Sequence, residues 1–476
     1  MSEFLPPANS YVQIGPRDHS EPGSAIPAAR FLYDGRKSIK GRSLCGRVIG
    51  ICTIGIHFTS IHYAVCCSRA PSRWRRPSGA VTLAAPVVAA EVTPQRLANP
   101  EPQIDGTSGD AGRIVWRMDP KQEQQRQSRG AALWGNFVVT AANSGAGIRD
   151  WIAALDAATG KRVWLKYTVP APGEPGGETW KGANNAWQTG GAAIWVTGTY
   201  DPDTNQTIWG TGNPVPMFDP TYRPGDNLYT NSAISWDPDT GRMNWYFQYT
   251  PGDQWDFDEA GTHILIDAEV AGQPRKLIAH SARNGFVYTM NRNNGQILGA
   301  KPYMDNINWT KGIDQKTGKP LDYDPAKDIQ TYSGVAIHTA PNDPVRKVCP
   351  TILGGNNYWP SSYSPKTKLL YVPALTGCDD VKIDTAMHSK ERGWNGGTRS
   401  TADRLESDLT AFDPIAGEIR KSIHLRYPNV SGTLATAGGL VFVGLADGTV
   451  AAYDDTPLEE LWKLNVGPAS TARPCW

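Results

Sequence analysis

One short pattern recurs along the chain and constrains its fold more than any other feature. An apolar strand is followed by a turn with Asp or Asn, in four of five copies also with Gly, and then by a second strand. The Asp or Asn side chain caps the turn and Gly supplies a positive φ, so each copy is predicted to be a β-hairpin. Repeated strand-rich units predict a β-propeller or a β-solenoid, and we favour the propeller. The copies are ALDAATGKRVW (154–164), SWDPDTGRMNW (235–245), TMNRNNGQILG (289–299), AFDPIAGEIRK (411–421) and AYDDTPLEELW (452–462).

Three of the five copies end in Trp, at Trp164, Trp245 and Trp462. A Trp at one fixed place in a repeated hairpin is expected to dock against the neighbouring unit. Related hairpins without this Trp are predicted at 199–214 and 362–375, and the segment 306–328 is predicted to be a long insertion. The composition agrees with an all-β protein, because 17 Trp accompany 49 Gly and 37 Pro. The net charge of +1 argues against nucleic acid or an anionic membrane as the main partner.

The first 90 residues do not resemble a folded domain. Residues 69–90 combine several Arg, a short apolar run and a small-residue cleavage site before Glu91, which is typical of a secretory signal peptide. Its distance from Met1 suggests that the assigned start lies too far upstream, and we expect export to the periplasm. The alternative is a membrane anchor at 48–67, a stretch long enough to span a bilayer. The β-domain is expected over 106–476.

The stretch GDQWDFDEAG (252–261) raises a question of charge. On an extended strand, Asp256 and Asp258 would share one face, with Trp255 and Phe257 on the other. Two carboxylates held that close repel each other unless water or a cation lies between them. From these residues alone, an ordinary half-buried strand and one half of a metal site both remain open.

The seven Cys form no CxxC pair, so a thiolate zinc site is not expected. Cys349 and Cys378 lie in well-patterned sequence. They are either a disulfide, if the compartment is oxidising, or two buried free thiols.

Several stretches together resemble one family, the pyrroloquinoline quinone (PQQ) dependent alcohol dehydrogenases, which are quinoproteins related to methanol dehydrogenase. The resemblance covers roughly 106–467, and the order of GTGNP, RPGDN, WDxD and RNG is what makes it specific. The stretches are RGAALWGNFVVT (129–140), GIRDWIAALDAATGKRVW (147–164), WGTGNPVPMFDPTYRPGDNLYTNS (209–232), GDQWDFDEAGTHILID (252–267), HSARNGFVYTMNR (280–292), CPTILGGNNYWPSSYSP (349–365) and SGTLATAGGLVFVGLADGTVAAYDD (431–455).

The resemblance implies an eight-bladed β-propeller that holds PQQ near its axis, beside a calcium or lanthanide ion. Oxygen ligands without a thiolate suit both ions, and Asp258 matches the extra carboxylate of members that use lanthanides. The resemblance also implies a disulfide between Cys349 and Cys378. The residues assigned by position are Asn213, Asp256 and Asp258 for the metal, Asp256 and Arg283 for catalysis, and Trp195, Arg283, Asn357, Ser144, Gly145 and Ala146 for the cofactor.

The implied reaction is oxidation of an alcohol to an aldehyde, by hydride transfer to the quinone C5. Asp256 would take the hydroxyl proton, the cation would polarise the C5 carbonyl, and Arg283 would stabilise the negative charge on oxygen. The electrons would pass to a cytochrome c.

The chain departs from the family pattern in two ways. No Glu or Asp occupies 141–149, where family members carry an acidic metal ligand. Internal and terminal stretches of the pattern are also missing, so the propeller is expected to be incomplete. The alternative to a dehydrogenase is therefore a non-catalytic or degenerate propeller fragment that acts as a binding or scaffold module, or that has no function.

Overall fold

Antiparallel β-sheet dominates the part of the chain that the structure, a computed structural model, describes. This part comprises residues 116–120, 129–141, 147–182, 184–336, 345–389, 394–401 and 403–467. It lies within one of the two units of the chain, Phe58–Trp476. The predictions for 1–90, including the segments 48–67 and 69–90, fall outside the described residues.

The first two sheets, named I and II, each have four antiparallel strands. Sheet I has the order β1-β2-β4-β5, and sheet II the order β10-β9-β8-β7. The two-residue strand β3 pairs in parallel with β6, which follows the one-turn helix α1. In chain order the elements are β1 (Ala132–Trp134), β2 (Phe137–Ala141), β3 (Ile148–Arg149), β4 (Trp151–Asp156), β5 (Arg162–Tyr167), α1 (Ala186–Thr189), β6 (Gly190–Gly191), β7 (Thr199–Asp201), β8 (Gln206–Gly210), β9 (Ser232–Trp236) and β10 (Met243–Gln248).

Three further four-stranded sheets follow, together with one smaller sheet. Sheet III has the order β11-β12-β13-β14, sheet IV β16-β17-β20-β21 and sheet V β22-β23-β24-β25. A three-stranded sheet, β15-β18-β19, interrupts the strands of sheet IV and is called the insertion sheet. The strands are β11 (Ile264–Val270), β12 (Gln273–Ser281), β13 (Phe286–Asn291), β14 (Ile297–Pro302), β15 (Arg346–Val348), β16 (Ser362–Ser364), β17 (Leu369–Thr376), β18 (Asp379–Ile383), β19 (Gly397–Thr401), β20 (Glu406–Asp413), β21 (Glu418–Leu425), β22 (Thr433–Ala435), β23 (Leu440–Gly444), β24 (Thr449–Asp454) and β25 (Glu460–Asn465).

The five predicted hairpins all form, and each supplies the third and fourth strands of one four-stranded sheet. The hairpins predicted at 199–214 and 362–375 supply the first and second strands of sheets II and IV. Repeated four-stranded antiparallel meanders are the unit of a β-propeller, so the predicted all-β fold class is confirmed. Helical elements are short in the described residues: besides α1 they are 3-10 turns at Gly177–Thr179, Tyr332–Gly334 and Thr385–Met387.

Hydrophobic side chains pack each sheet against the next one in the chain. Sheets I and II share a core that includes Ile152 and Ile234, and sheets II and III share one that includes Ile208 and Tyr288. The same arrangement continues from sheet III to IV and from IV to V. Because each sheet is apolar on the faces that meet its neighbours, burial of these faces is what stacks the sheets.

The Trp residues of the repeat add a directional contact between sheets. Trp164 of sheet I donates from Nε1 to the Pro238 carbonyl at 3.1 Å, in the β9–β10 turn of sheet II. A methyl group added to Gly241 in that turn would lie 2.6 Å from the Trp164 ring. The φ of Gly241 is +67°, so glycine serves both the turn and the close approach of the indole.

The same contact recurs one sheet further along the chain. Trp245 of sheet II covers Gly295 in the β13–β14 turn of sheet III and donates to the Arg292 carbonyl at 3.1 Å. Ahead of sheet I, Trp116 covers Gly160 in the same way, which the repeat did not predict because Trp116 lies outside any copy. The docking prediction is therefore confirmed for Trp164 and Trp245, whereas Trp462 on β25 is 48% exposed.

The predicted insertion and the predicted disulfide are both present. Residues 306–328 contain no strand, although Trp309 within them is fully buried. The sulfurs of Cys349 and Cys378 are bonded at 2.03 Å, joining the chain just after β15 to the chain just before β18. The disulfide therefore ties the base of the insertion sheet. Among the described residues, none of the helices has the length and apolar character needed to cross a membrane.

We expect Trp245→Ala to destabilise the fold by about 3–5 kcal/mol, the usual cost of removing a buried Trp, because the β13–β14 turn loses its cover. Urea denaturation followed by circular dichroism measures the free energy of unfolding. Trp462→Ala is the matched control at the same place in the repeat, and we expect a loss below about 1 kcal/mol. Equal losses in both variants would contradict the docking role.

Candidate functional site

The GDQWDFDEAG stretch is a loop rather than the strand that its alternation suggests. Asp253 accepts hydrogen bonds from the backbone N–H groups of Trp255 at 3.1 Å and Phe257 at 3.0 Å, which curls the chain around its carboxylate. Asp256 has a φ of +66°, in the left-handed region that a strand excludes. The strand interpretation was wrong because a buried side chain inside the segment supplies its hydrogen bonds. Trp255 and Phe257 are nevertheless fully buried.

Arg283 is the positive charge that meets the two carboxylates. It lies in the turn between β12 and β13, and its Nη1 is 3.5 Å from Asp256 Oδ2 and 3.3 Å from Asp258 Oδ2. The same nitrogen donates to the Asp256 backbone carbonyl. The side chains of all three residues are nearly buried, with 6–12% of their surface exposed. The structure thus brings together three of the residues that the resemblance assigned to metal binding or to catalysis.

The electrostatics of this group favour additional positive charge. Burial raises the pKa of Asp256 well above its usual range, the Asp258 charge raises it further, and Arg283 lowers it. Two like charges in a site of low polarity are costly, and one guanidinium balances only one of them. A cation beside Asp256 and Asp258 would balance the second.

Arg283 itself has unused hydrogen-bonding capacity. Its Nε is buried and has no hydrogen-bond partner among the described residues. A buried unsatisfied donor is costly, and this one belongs to the guanidinium whose Nη1 meets the two carboxylates. This nitrogen fits a group that brings an acceptor oxygen, such as a quinone carbonyl.

Asn213 joins the group through its backbone. Its N–H donates to Asp258 Oδ1 at 2.5 Å, and its side-chain nitrogen donates to the Pro214 carbonyl at 2.8 Å. The amide nitrogen is therefore occupied within the loop, which leaves the amide oxygen as the atom that a hard cation would bind. Within the part of the chain that is described, no group of three His, Cys, Asp or Glu is placed to hold a metal. The oxygen set of Asn213, Asp256 and Asp258 fits calcium or a lanthanide in kind.

The loop 349–361 packs directly on Arg283. The Gly355 N–H donates to the Arg283 carbonyl at 2.9 Å, and a methyl group on Gly354 would lie 2.0 Å from Arg283 Cγ. Asn357 follows in the same loop, where its Nδ2 donates to Leu353 O at 3.0 Å and its Oδ1 accepts from Tyr358 N at 2.8 Å. Its side chain thus shapes the loop, and a contact from Asn357 to a cofactor stays a prediction.

Trp195 belongs to an aromatic cluster that the sequence did not indicate. The guanidinium of Arg129 lies 4.7 Å from the Trp195 ring centroid and 3.8 Å from that of Tyr358. The Trp195 segment is tied to the Asn213 loop, because Ala192 N donates to Asn213 O at 3.0 Å. Stacking of a cofactor on Trp195 stays a prediction. Ser144, Gly145 and Ala146 fall outside the described residues.

Two buried polar groups near the site escaped the sequence reasoning. Arg223 donates to the carbonyls of Pro216, Met217 and Asp253, and burial lowers its pKa to about 10. Its motif, RPGDN, contributed to the family resemblance, but nothing in the motif indicated that the Arg side chain is buried.

The second group is formed by Glu259, His280 and His263, which are all buried. His263 and His280 stack at 4.1 Å because the β11–β12 hairpin brings them together. No sequence spacing signals that contact.

Replacing Gly354 with Ala should displace Arg283. Both the φ of +81° and the collision with Cγ oppose a side chain there. Gly334→Ala is the matched control, because its φ is +75° and a methyl group would meet nothing within 4 Å. We expect Gly334→Ala to cost about 1 kcal/mol in the free energy of unfolding and Gly354→Ala clearly more, as measured by urea denaturation. Equal costs would mean that the loop does not press on Arg283.

Asp253 should make stability depend on pH. Burial raises its pKa to about 6, against 3.8 as the ordinary value, although Arg223 lowers it in part. Between about pH 4 and pH 6 the folded protein keeps a proton that the unfolded chain loses. The contribution of Asp253 to the free energy of unfolding is therefore full below about pH 4 and is lost as the pH rises through 6. The loss amounts to about 3 kcal/mol. Urea denaturation from pH 4 to 7 should show a shallower decline for Asp253→Asn than for the wild type, and parallel curves would refute the assignment.

Comparison with known proteins shows which family the chain is similar to. A family model described as glucose/ethanol/alcohol dehydrogenase, beta-propeller domain, matches residues 109–300. The quinohemoprotein alcohol dehydrogenase of Comamonas testosteroni is 35% identical over 392 residues, which cover 76% of this chain and 53% of that protein. The lanthanide-dependent methanol dehydrogenase of Methylorubrum extorquens is 30% identical over 384 residues, covering 76% of this chain and 63% of that protein.

The fold agrees with the sequence comparison. The crystal structure of the Comamonas testosteroni enzyme superimposes with a TM-score of 0.66 at 30% identity, over 74% of this chain and 55% of that one. This chain therefore spans between about half and two thirds of the length of these relatives. The repeated sheets, the converging acidic loop and arginine turn, and these similarities show that the chain belongs to the PQQ-dependent alcohol dehydrogenase family.

Proposed function

We propose that this protein binds PQQ together with a calcium or lanthanide ion and oxidises an alcohol to an aldehyde. The observation that carries the proposal is the convergence of Asp256 and Asp258 on Arg283, whose buried Nε lacks a partner among the described residues. The two carboxylates supply hard oxygen donors, and the guanidinium supplies a donor for a quinone oxygen.

Each residue has a distinct part in this proposal. Asp256 accepts the proton of the substrate hydroxyl at its carboxylate, as a general base. The Arg283 guanidinium donates hydrogen bonds where negative charge develops on oxygen. Asp256, Asp258 and the Asn213 amide oxygen would hold the cation, and the additional carboxylate of Asp258 would favour a trivalent ion. When bound, the quinone would supply the two-electron redox chemistry that these side chains lack.

The cellular setting is part of the same proposal. The Cys349–Cys378 disulfide supports an oxidising compartment, and with the signal-like segment 69–90 it supports the periplasm. The electrons would then pass to a cytochrome c. A membrane anchor at 48–67 is the alternative to release as a free protein.

A non-catalytic propeller that acts as a binding module is the second candidate. It is favoured by the absence of an acidic residue at 141–149 and by Arg283 standing between the carboxylates, where it already neutralises part of their charge. A scaffold needs the sheets and their docking Trp residues but not an unsatisfied Arg283.

Reconstitution of the purified chain with PQQ and either lanthanum or calcium separates these functions. We expect a shift of quinone absorbance and dye-linked oxidation of ethanol, stronger with lanthanum. Asp256→Ala should lower turnover roughly 100-fold or more, because it removes the base. Asp258→Asn should weaken lanthanum binding at least about tenfold, or about 1.4 kcal/mol, while calcium changes less.

The control for these variants is Asp408→Asn, which removes a carboxylate paired with His424 on the surface of sheet IV. It should leave cofactor binding and turnover unchanged. A folded wild-type chain that binds PQQ with neither ion would reject the dehydrogenase and favour the scaffold. Wild-type turnover in Asp256→Ala would reject Asp256 as the base.

A further inference from the structure

A buried acid–histidine pair lies directly behind Arg283. Glu259 Oε2 accepts a hydrogen bond from the Arg283 backbone N–H at 3.0 Å and lies 2.9 Å from His280 Nε2. The side chains of Glu259 and His280 are 0% and 2% exposed. A carboxylate this deep costs several kcal/mol unless it is paired, so the contact to His280 is what makes its burial tolerable.

Hydrogen bonding fixes how His280 is held. Its Nδ1 lies 3.2 Å from the Thr262 carbonyl, which only accepts, so Nδ1 is the donor there. One proton must then lie between Nε2 and Glu259 Oε2, whichever of the two atoms carries it. The flat stacking on His263 at 4.1 Å, with 5° between the rings, holds the imidazole plane. His280 is thus held by the Thr262 carbonyl and the His263 ring, and it in turn holds the Glu259 carboxyl group at Oε2.

Glu259 also joins the three loops that carry the site. Its backbone N–H donates to the Thr211 carbonyl at 3.0 Å, two residues before Asn213. Its neighbour in the chain is Asp258, and its side chain reaches the turn of Arg283. A displacement of Glu259 would therefore change the separation of Asp258 and Arg283, which is now 3.3 Å.

We propose that Glu259, held by His280, is a positioning residue that sets the place of Arg283 relative to the carboxylates of Asp256 and Asp258. It acts through the Arg283 backbone and touches neither substrate nor cofactor. This inference rests on the proposed function for its catalytic consequence, but the contact itself exists without any cofactor. Residues that orient groups in direct contact with a metal or cofactor typically change affinity or activity 10–100-fold when mutated.

Glu259→Gln is the decisive variant, because it keeps the shape of the side chain but replaces one oxygen of the carboxyl group with an NH2 group, which only donates. A single oxygen now serves both the Arg283 N–H and His280. Beside glutamine, a charged His280 would be buried without a counter-charge and therefore costly. In the neutral imidazole Nδ1 donates to Thr262 and Nε2 only accepts. The glutamine nitrogen can then donate to His280 but cannot accept from Arg283, and the glutamine oxygen can accept from Arg283 but cannot donate to His280. The variant must therefore lose or reorient one of the two contacts.

The first measurement is amide hydrogen exchange at Arg283 in the cofactor-free protein. We expect the Arg283 amide to exchange at least about tenfold faster in Glu259→Gln than in the wild type, from the loss of its acceptor. The second measurement is PQQ affinity from quenching of tryptophan fluorescence, with an expected loss of about 10–100-fold. The third is turnover at saturating PQQ, where kcat should fall more than the KM for alcohol rises, because the guanidinium is misplaced in the transition state.

Asp219→Asn is the matched control. It disrupts another buried carboxylate, which lies 2.8 Å from His388 Nε2 and accepts hydrogen bonds from Thr221 rather than from Arg283. This variant should lower stability without changing Arg283 exchange or PQQ affinity.

Two results would overturn the positioning role. One is a folded Glu259→Gln protein with wild-type exchange at Arg283. The other is an equal change in both variants, which would reflect general loosening. If the wild-type chain does not bind PQQ, the proposed function fails by itself, and the exchange comparison still decides whether Glu259 holds Arg283.

Discussion

The site depends on one electrostatic constraint, which is that two aspartates two residues apart are held in a nearly water-free environment. Asp256 and Asp258 would repel each other there without positive charge between them. Arg283 supplies it from a different part of the chain, at 3.5 and 3.3 Å. Everything around this group fixes geometry: Asp253 curls the acidic loop, Gly354 admits the Arg283 side chain, and Glu259 holds the Arg283 backbone.

The sheets make this convergence possible because they fix where each loop begins. Sheet II ends where the acidic loop starts, and the β12–β13 turn of sheet III carries Arg283. These two sheets share one hydrophobic core that also takes in Trp255 and Phe257 from the acidic loop. Trp245 belongs to the same core and strengthens this junction by docking on the β13–β14 turn of sheet III. The packing that stabilises the fold is thus also the packing that sets the distances in the site.

The hairpins could be predicted from the sequence, and the resemblance named Asp256, Asp258 and Arg283, but the way these three side chains meet could not be predicted. A turn such as 237–241 is stabilised by hydrogen bonds between residues two to four positions apart in the chain. Asp237 and Gly241 therefore suffice to specify it. The alternation in WDFD gave a wrong strand because period-2 patterns also arise where a buried Asp organises a loop. Trp462 shows the reverse limit: it has the local pattern of Trp164 and Trp245 but no glycine turn to cover among the described residues.

The sequence by itself determined the all-β class, the five repeated hairpins and the family, because these depend on local turn chemistry or on motifs in a fixed order. The Cys349–Cys378 pair followed from the family resemblance, and the structure contains the bond. Only the tertiary structure decided that Arg283 lies between Asp256 and Asp258, and that Glu259 and His280 hold it from behind. Those contacts join residues 21 to 27 positions apart across different loops. Their distances follow from how two sheets pack, and that packing is the sum of many weak contacts which no short stretch of sequence encodes.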